Sequence, residues 1–387
     1  MKLYVQRNVN DWNSVVKASP YAVAHHEYDV MIYRHKCALP LVFEEGKNRL
    51  LFPLLLKDFF GLRTASNRIY DLASVLPSSP RAINLMPEAL DSVLDFLRDF
   101  GVVFLTISAP FLLPKECLRL IDVWFRQKSA MMQPVFADAL CTGGRTFEEI
   151  WMNDFSKHAR NRTRKAKKEG VIVHEIDAFD KWISHMHLCN ISSFSRQRRH
   201  PRYPHSDRDA FLVYLNSHRQ LLGADYKVYG AFLGNRLIAY MATVECKDLI
   251  LISLLMSSSE FLPKCPNDAL VGHLVDHACK SEIKWIYYSF DRVRYNPEKP
   301  SLHSSLRRFK FEHGFKEYPM KIYHLGITSA GEVLRRITSF YNFMFVTSTR
   351  LPPLVTDVIQ KIYEKQTYRK SEYNYVSEFL SRKKMSE

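Results

Sequence analysis

The sequence has few cysteines, and their spacing argues against two common uses of the residue. Its 387 residues include 7 cysteines, an odd number scattered along the chain. No two of them form a C-x-x-C pair, and no group of cysteines and histidines has the spacing of a zinc site. We therefore expect reduced thiols and no metal centre.

Long apolar runs are also missing. A membrane-spanning helix needs about 18 or more consecutive apolar residues, and the sequence has no such run. The first residues, MKLYVQRNVNDW, lack the apolar core of a secretory signal. These two absences predict a cytoplasmic protein without a transmembrane segment.

Acidic residues are outnumbered by basic ones. Lys and Arg total 55 against 40 Asp and Glu, which gives a formal charge of +15 and an isoelectric point near 9.4. Such an excess favours an anionic partner, such as nucleic acid, a nucleotide-linked substrate or an acidic membrane surface. Hydrophobic residues make up 47% of the chain, enough for large cores, and the length is typical of two or three domains.

Many basic residues concentrate in residues 146–176. Thr146 and Glu149 have the spacing of a capping box, in which two side chains satisfy backbone N–H groups at a helix start. The helical pattern has a break near Asn153–Asp154 and ends before Gly170. Seven basic side chains surround its thin apolar stripe: Lys157, Arg160, Arg162, Arg164, Lys165, Lys167 and Lys168. Two interpretations remain open, a solvated helix face and a phosphate-binding face.

The order of predicted elements indicates the fold class. After the basic helix, the pattern reads strand, helix, three antiparallel strands, helix, strand, helix and strand. This order resembles that of a GNAT-type acyltransferase domain. The first half is also rich in strands. We therefore predict an α+β protein with mixed, mainly antiparallel sheets flanked by helices.

Three stretches resemble the FemAB-like and FemX-like transferases, which carry two GNAT-type folds in tandem. They are SKHARNRTRKAKKEGVIV, PNDALVGHLVDHACKSEIKWIYYSFDR and LRRFKFEHGF. The resemblance covers roughly residues 1–325 and is most specific in the second half. It implies GNAT-type domains at residues 1–145 and 146–328. A basic helical tail, residues 329–387, would then pack on the first domain or lie on an acidic membrane surface.

The chemistry of this family is transfer of an acyl group, often an amino acid from aminoacyl-tRNA, to an amine. Ordinary GNAT enzymes carry a glycine-rich sequence at the start of their long helix, where backbone N–H groups approach a pyrophosphate. Here that place reads FLPKCPNDAL, with no glycine before Gly272, which counts against a conventional acetyl-CoA site. The donor stays open between aminoacyl-tRNA and acyl-CoA, and no permanently bound cofactor is expected.

The resemblance also implies site residues. Lys310, in the F-K pair of the third stretch, would stabilise negative charge on a tetrahedral intermediate, and Phe309 would pack beside it. Arg292 follows a buried-looking strand, where open α/β sites gather ligand groups. Asp268 and Asp291 are substrate-binding candidates and the acids best placed to act as a base, although Asp268 is equally well explained as a helix N-cap. Further substrate-binding candidates are Arg160, Arg162, Arg164, Arg196, Arg199 and Tyr203.

Plainer interpretations exist for several of these residues. Lys310 is also explained as a surface lysine, and Phe309 as a core residue. The leading hypothesis is an N-acyltransferase that transfers an acyl or aminoacyl group to an amine of a cell-envelope precursor, peptidoglycan-like or amino-sugar substrate. The alternative is a non-catalytic nucleic-acid-binding protein on a degenerate GNAT scaffold, which the basic helix and the missing glycines favour.

Overall fold

The computed structural model describes residues 1–23, 26–27, 38–59, 61–67, 74–197, 204–291 and 304–337. The chain divides into two compact units, each described separately below. The first comprises Met1–Phe136 together with residues from Pro319 onward, and the second comprises Ala137–Tyr318. The predicted domain boundaries at residues 145 and 328 stay a prediction. In the structure, Pro319 and the strand residues that follow it belong to the first compact unit.

The first unit is built from strands and helices in the order of a GNAT-type domain. Its elements are β1 (Lys2–Val5), α1 (Val9–Ala18), β2 (Ala38–Glu45), β3 (Asn48–Phe59), β4 (Leu62–Ser66), β5 (Leu76–Pro77), α2 (Met86–Asp99), β6 (Val102–Ala109), α3 (Lys115–Gln127) and, at the end, β13 (Lys316–Gly326). The sheet has the strand order β1-β2-β3-β4-β6-β13, with β5 pairing to β3. Strands β4 and β6 are parallel, and the other neighbours are antiparallel.

Helix α2 shows how the sequence builds the core of this unit. Leu90, Val93, Leu94 and Leu97 recur at helical spacing, so they share one face of the helix. All four are at most 7% exposed and pack in the core cluster that covers the sheet. Pro87 lies in the first turn, where its missing N–H leaves no helix hydrogen bond unmade.

The second unit carries the basic helix and shows the predicted element order. Its elements are the end of β7 (Met131–Cys141), α4 (Phe147–Asn153), α5 (Lys157–Lys168), β8 (Val171–Glu175), α6 (Phe179–Arg196), α7 (Arg208–Leu222), β9 (Tyr226–Leu233), β10 (Arg236–Cys246), β11 (Leu249–Ser257), α8 (Pro266–Lys280), β12 (Trp285–Asp291) and α9 (Ser304–Glu312). The strands lie in the order β7-β12-β11-β10-β9-β8. Helices follow strands as the GNAT order requires, so the prediction of an α+β fold is confirmed.

Strand β10 separates two layers of this unit. Ala239 and Met241 belong to the core cluster that α5 and α8 cover. Tyr240, between them, points the other way, because successive strand residues face opposite sides of a sheet. Its hydroxyl hydrogen-bonds Asn190 of α6 and its ring contacts Phe211 of α7. Helices therefore cover both faces of the sheet.

The junction between α4 and α5 has the capping box and the helix break that the sequence predicts. The Thr146–Glu149 capping box is present. Helix α4 ends at Asn153, at the predicted break, and α5 begins after Ser156, whose side chain accepts from the Ala159 N–H. Gly170 then takes a φ of 82°, a left-handed conformation that glycine adopts without a Cβ clash. This turn leads the chain from the basic helix into β8.

Candidate active site

Parallel strands β11 and β12 separate partway along their length. Their pairing ends at Leu251 opposite Tyr287, although both strands continue for several residues. Beyond that point Ser253 is exposed, and Ser289 and residues 254–256 are half-buried. The strands therefore open a space in the middle of the sheet. We call the space between residues 252–257 and residues 288–291 the strand gap.

The corresponding parallel strands of the first unit, β4 and β6, remain joined. They pair from Arg63 to Ser66. Asn67, the next residue, continues the connection with its side chain, since Asn67 Nδ2 donates to the Ser108 carbonyl at 3.2 Å and Asn67 Oδ1 accepts from the Ser108 N–H at 2.7 Å. Of the two parallel pairs in the described residues, only the one in the second unit opens.

A β-bulge lies on the β11 side of the strand gap. Ala242 pairs with Leu254 and Thr243 pairs with Ile252, so Ser253 has no cross-strand partner of its own. The Ser253 hydroxyl donates instead to the Ala242 carbonyl at 2.9 Å. Bulges are common beside active sites because they redirect backbone and side-chain groups.

Lys310 of helix α9 hydrogen-bonds a residue that borders the strand gap. Its Nζ donates to Ser289 Oγ on β12 at 2.5 Å and to Asp138 Oδ2 on β7 at 2.6 Å. The same nitrogen lies 4.6 Å from the centre of the Tyr288 ring, within the range of a cation–π contact. Lys310 is 4% exposed. This candidate is therefore a buried amine at the edge of the gap, and it is not a surface lysine.

Asp138 is the charged member of this cluster that the sequence analysis missed. It interrupts the apolar strand VFADALC and is 2% exposed. Burial raises the pKa of its carboxyl group, and the neighbouring Lys310 ammonium opposes that shift. A single acid inside an otherwise apolar strand was the available signal, because buried charges are rare unless they are paired.

Arg162 of α5 joins the ends of two other helices. Its Nε donates to Asp268 Oδ1 on α8 at 2.8 Å, and its Nη2 donates to Glu312 Oε2 on α9 at 2.6 Å. His313 Nε2 lies 3.2 Å from the same oxygen of Asp268. Asp268 and His313 are both buried. Two of the predicted site residues, Arg162 and Asp268, are therefore brought together as an ion pair.

Asp268 lies inside helix α8, and Phe309 packs against the core. Cys265, with a φ of 56°, occupies the N-cap position of α8, so Asp268 lies inside the first turn. The N-cap interpretation of Asp268 is thus wrong, because the chain enters the helix three residues earlier. Phe309 packs against the core, with its ring 4.3 Å from that of His313.

The other arginines of the basic helix differ in their surroundings. Arg160 Nη1 donates to three carbonyl oxygens, of Trp151 at 3.2 Å, Met152 at 3.1 Å and Phe155 at 2.6 Å. It therefore satisfies backbone acceptors at the end of α4. Arg164 is exposed, and its guanidinium lies 5.6 Å from the Trp151 ring centre. The exposed cations of α5 are Lys157, Arg164, Lys165, Lys167 and Lys168.

Arg196 lies at the end of α6, beside the open end of the strand gap. Its Nη1 donates to Ser259 Oγ at 3.1 Å, and its Nη2 donates to Ser257 Oγ at 3.3 Å. Ser257 is the last residue of β11. These partners are neutral hydroxyl groups, which hold the guanidinium in place without cancelling its charge.

Several predicted site residues lie outside the part of the chain that can be described. They are Arg199, Tyr203, Arg292 and the side chain of Asp291, and most of the predicted tail is also outside it. Among the residues that are described, no group of His, Cys, Asp and Glu is arranged to hold a metal ion. Within the same residues, no helix is long and apolar enough to cross a membrane.

Comparisons with solved structures identify proteins that share this fold. No protein-family model and no curated protein sequence matches the chain. Among solved structures, FemX matches with a TM-score of 0.65 and 12% identity over 87% of this chain and 100% of its own. L-PGS from Bacillus licheniformis matches with a TM-score of 0.53 and 10% identity over 87% of this chain and 98% of its own.

A third structure gives a similar result. The C-terminal domain (DUF2156) of a provisionally named lysylphosphatidylglycerol synthetase from Agrobacterium fabrum matches with a TM-score of 0.54 and 12% identity, over 85% of this chain and 95% of its own. Identities this low establish the fold alone. The two units, each with the GNAT order of elements, and the match to FemX together show that the chain has the FemX-like fold of two tandem GNAT-type domains.

Proposed function

We propose that this chain is an N-acyltransferase that moves an aminoacyl group from aminoacyl-tRNA to an amine of a cell-envelope precursor. One observation carries the proposal. The strand gap of the second unit has a buried lysine, Lys310, at its edge, hydrogen-bonded to Ser289 on one of the two separated strands. A fixed ammonium at such a place suits a reaction that develops negative charge on oxygen.

The proposed step is acyl transfer from an ester to an amine. The amine nitrogen attacks the ester carbonyl carbon, a C–N bond forms, and the carbonyl electron pair moves to oxygen. The tetrahedral intermediate then collapses, the C–O bond to the donor breaks, and the leaving oxygen takes the proton that the amine loses. Lys310 has three N–H donors. Asp138 and Ser289 engage two of them, and we assign the third to the oxyanion.

The start of α8 supports a donor other than acyl-CoA. In a GNAT-type site this helix end would bind pyrophosphate through free backbone N–H groups. Here Pro266 at the first position has no N–H, and Asp268 places a carboxylate in the same turn. The first glycine, Gly272, serves helix packing, because an added Cβ would lie 3.1 Å from Thr163 Cγ2 on α5.

The exposed cations of α5 suit a larger anion. Arg160 and Arg162 are occupied within the fold, so the phosphate contacts are assigned to Lys157, Arg164, Lys165, Lys167 and Lys168. Successive phosphates of an RNA backbone would relieve the repulsion between these side chains. We therefore assign this face to the tRNA part of the donor.

The acceptor is assigned from Arg196 and from the relatives. Arg196 is held beside the open end of the strand gap by Ser257 and Ser259, where its positive charge would attract a carboxylate or phosphate of the acceptor. FemX and the structures named for lysylphosphatidylglycerol synthesis share the fold. The lysylphosphatidylglycerol in the name of one of these structures supports an acceptor of the cell envelope. Arg292, Arg199, Tyr203 and Asp291 remain candidates for contacts with the same molecule.

A donor screen tests this proposal. The full-length chain is incubated with tRNA charged with labelled amino acids, or with labelled acyl-CoA, together with amino-sugar and peptidoglycan-precursor amines. We expect label in an amide product from charged tRNA and none from acyl-CoA. Transfer from acyl-CoA alone would show that the donor is assigned wrongly. RNA binding without transfer from either donor would favour the nucleic-acid-binding alternative, which the exposed cations of α5 also suit.

A further inference from the structure

A tryptophan of helix α4 lies against the basic helix α5. Trp151 is half-buried, and its ring centre is 5.5 Å from that of Phe147 and 5.4 Å from that of Phe155. Arg160 of α5 donates to the Trp151 carbonyl at 3.2 Å, which ties this residue to the basic helix. The guanidinium of Arg164 lies over the Trp151 ring, with its central carbon 5.6 Å from the ring centre. An aromatic ring and a planar cation therefore meet on the helix that carries the exposed lysines.

Arg164 differs from the other arginines that lie over aromatic rings in the described residues. Each of the others also donates to a carbonyl oxygen or a carboxylate of the fold, and they are Arg63, Arg219 and Arg236. Arg164 is exposed, its Nη1 donates to the Asn161 amide oxygen at 3.3 Å, and no carboxylate in the described part of the chain pairs with it. Because arginine has five N–H donors, Arg164 keeps both donors and charge for a ligand.

The pair of Trp151 and Arg164 suits a nucleobase as well as a phosphate. A lysine ammonium is a point charge, whereas a guanidinium and an indole ring have flat faces on which a base can stack. A guanidinium can also donate from its edge to a phosphate while a base lies on its face. In double-stranded RNA the bases stack on one another, so such faces reach a base only where the strand is single.

We propose that Trp151 and Arg164 form a stacking platform for a nucleotide in a single-stranded part of the RNA donor. This inference rests on the proposed transferase function, and it adds the single-stranded part of the RNA as a recognised feature. The exposed lysines of α5 then contribute affinity that depends on salt, and the platform contributes affinity that depends on the base. A cation over a ring that only stabilises the surface would add nothing that depends on the base.

Two RNA hairpins with equal numbers of phosphates separate these contributions. One carries a single-stranded tail of ordinary nucleotides, and the other carries a tail of the same length without bases. Binding of the full-length chain to each hairpin is measured by fluorescence anisotropy across a salt series. The ordinary tail should bind about 5- to 100-fold more tightly, the range expected for one stacked base, with equal salt slopes. Equal affinity for the two tails would overturn the proposal and leave RNA binding by α5 in place.

The decisive variant is Arg164→Lys, which keeps the charge and loses the flat guanidinium. It should lose much of the preference for the ordinary tail, while its salt slope stays that of the wild type. The Trp151→Leu variant, which removes the ring, should abolish the preference. As a matched control, Lys165→Ala should flatten the salt slope by about 0.7 to 0.9 and leave the preference unchanged. A preference that survives in both platform variants would show that the base is bound elsewhere and would overturn the proposal.

Tryptophan fluorescence gives a second measurement on the protein with its platform intact. The emission of Trp151 is the difference between the wild type and Trp151→Phe. The ordinary tail should quench this emission, and the tail without bases should not. Trp182 is the matched control, since Lys181 Nζ lies 5.0 Å from its ring centre and has no flat face. Its emission, obtained in the same way from Trp182→Phe, should stay constant. Equal quenching of Trp151 by both tails would overturn the proposal.

The outcomes for the platform and for the transferase are distinguishable. If the donor screen gives no transfer from charged tRNA, the proposed function fails, whereas base-dependent quenching of Trp151 would still support the platform. If both hairpins bind equally, the platform fails and the RNA donor stands. Absence of binding to either hairpin would overturn the platform and the assignment of α5 to RNA together.

Discussion

Asp138 and Lys310 are 172 positions apart in the chain, yet Lys310 Nζ donates to Asp138 Oδ2 at 2.6 Å. Their side chains are 2% and 5% exposed, so the pair is shielded from water. The contact ties helix α9 to strand β7 within the second unit. It also fixes an ammonium beside Ser289, on the strand that borders the gap.

The exposed face of α5 should give RNA binding a steep dependence on salt. Charge reversal of three residues, Arg164→Glu, Lys167→Glu and Lys168→Glu, should flatten the slope of log K against log salt by about 2 to 3, because each lost phosphate contact removes about 0.7 to 0.9. The measurement is tRNA binding by fluorescence anisotropy across a salt series.

A control for that measurement uses lysines elsewhere in the same unit. Lys280 and Lys284 have exposed side chains, at 73% and 60%, that lie outside α5. Reversing these two should leave the slope nearly unchanged. Equal slopes for the α5 variant and the wild type would mean that the face is merely solvated.

Arg160 should matter for stability rather than for RNA binding. Its guanidinium serves the carbonyl groups of Trp151, Met152 and Phe155. The Arg160→Ala variant should therefore lose about 1 to 3 kcal/mol of unfolding free energy, since the partly buried carbonyl groups of Trp151 and Phe155 lose this donor. Arg164→Ala, on the exposed side of the same helix, should change stability little. Urea unfolding of both variants decides the matter, and equal losses would contradict the assignment.

His205 should make the protein sensitive to mild acid. It packs among the rings of Phe194, Phe211 and Tyr214, and burial lowers its pKa from 6.5 to about 4. A lowered histidine pKa means that the unfolded chain binds the proton more readily. The contribution of neutral His205 to the free energy of unfolding is therefore complete above pH 6.5 and is lost as the pH falls toward 4.

The expected size of this effect follows from linkage. Between about pH 7 and pH 5, protonation of His205 in the unfolded chain should lower the unfolding free energy by about 1 to 2 kcal/mol. The His205→Phe variant preserves an aromatic ring and should lack that part of the pH dependence. Parallel stability curves for the variant and the wild type would show that His205 does not titrate as described.

The sequence predicted much of the second unit because its signals are local. The capping box at Thr146 and Glu149, the break after Asn153 and the left-handed turn at Gly170 each depend on a few neighbouring residues. The α+β class followed from the order of such elements. Lys310 was identified through resemblance, and the structure adds its burial and its partners.

Other features could not be predicted, because they depend on contacts between distant segments. Nothing near Asp138 indicates that its partner is Lys310. Helical spacing places Arg160, Arg162 and Arg164 on one helix. It does not reveal that Arg162 pairs with Asp268, or that Arg160 donates to carbonyl groups at the end of helix α4. The separation of β11 from β12 is equally a property of the assembled sheet.

The central claim is that Lys310 at the strand gap stabilises the transition state of acyl transfer. The most direct test is single-turnover transfer from charged tRNA by the Lys310→Met variant. Lys316→Met, with a side chain that is 66% exposed, provides the matched control. We expect the rate constant of the Lys310 variant to fall by about 10² to 10³, with unchanged tRNA affinity and a folded protein, and the control to transfer at the wild-type rate. A Lys310→Met protein that transfers as fast as the control would contradict the account.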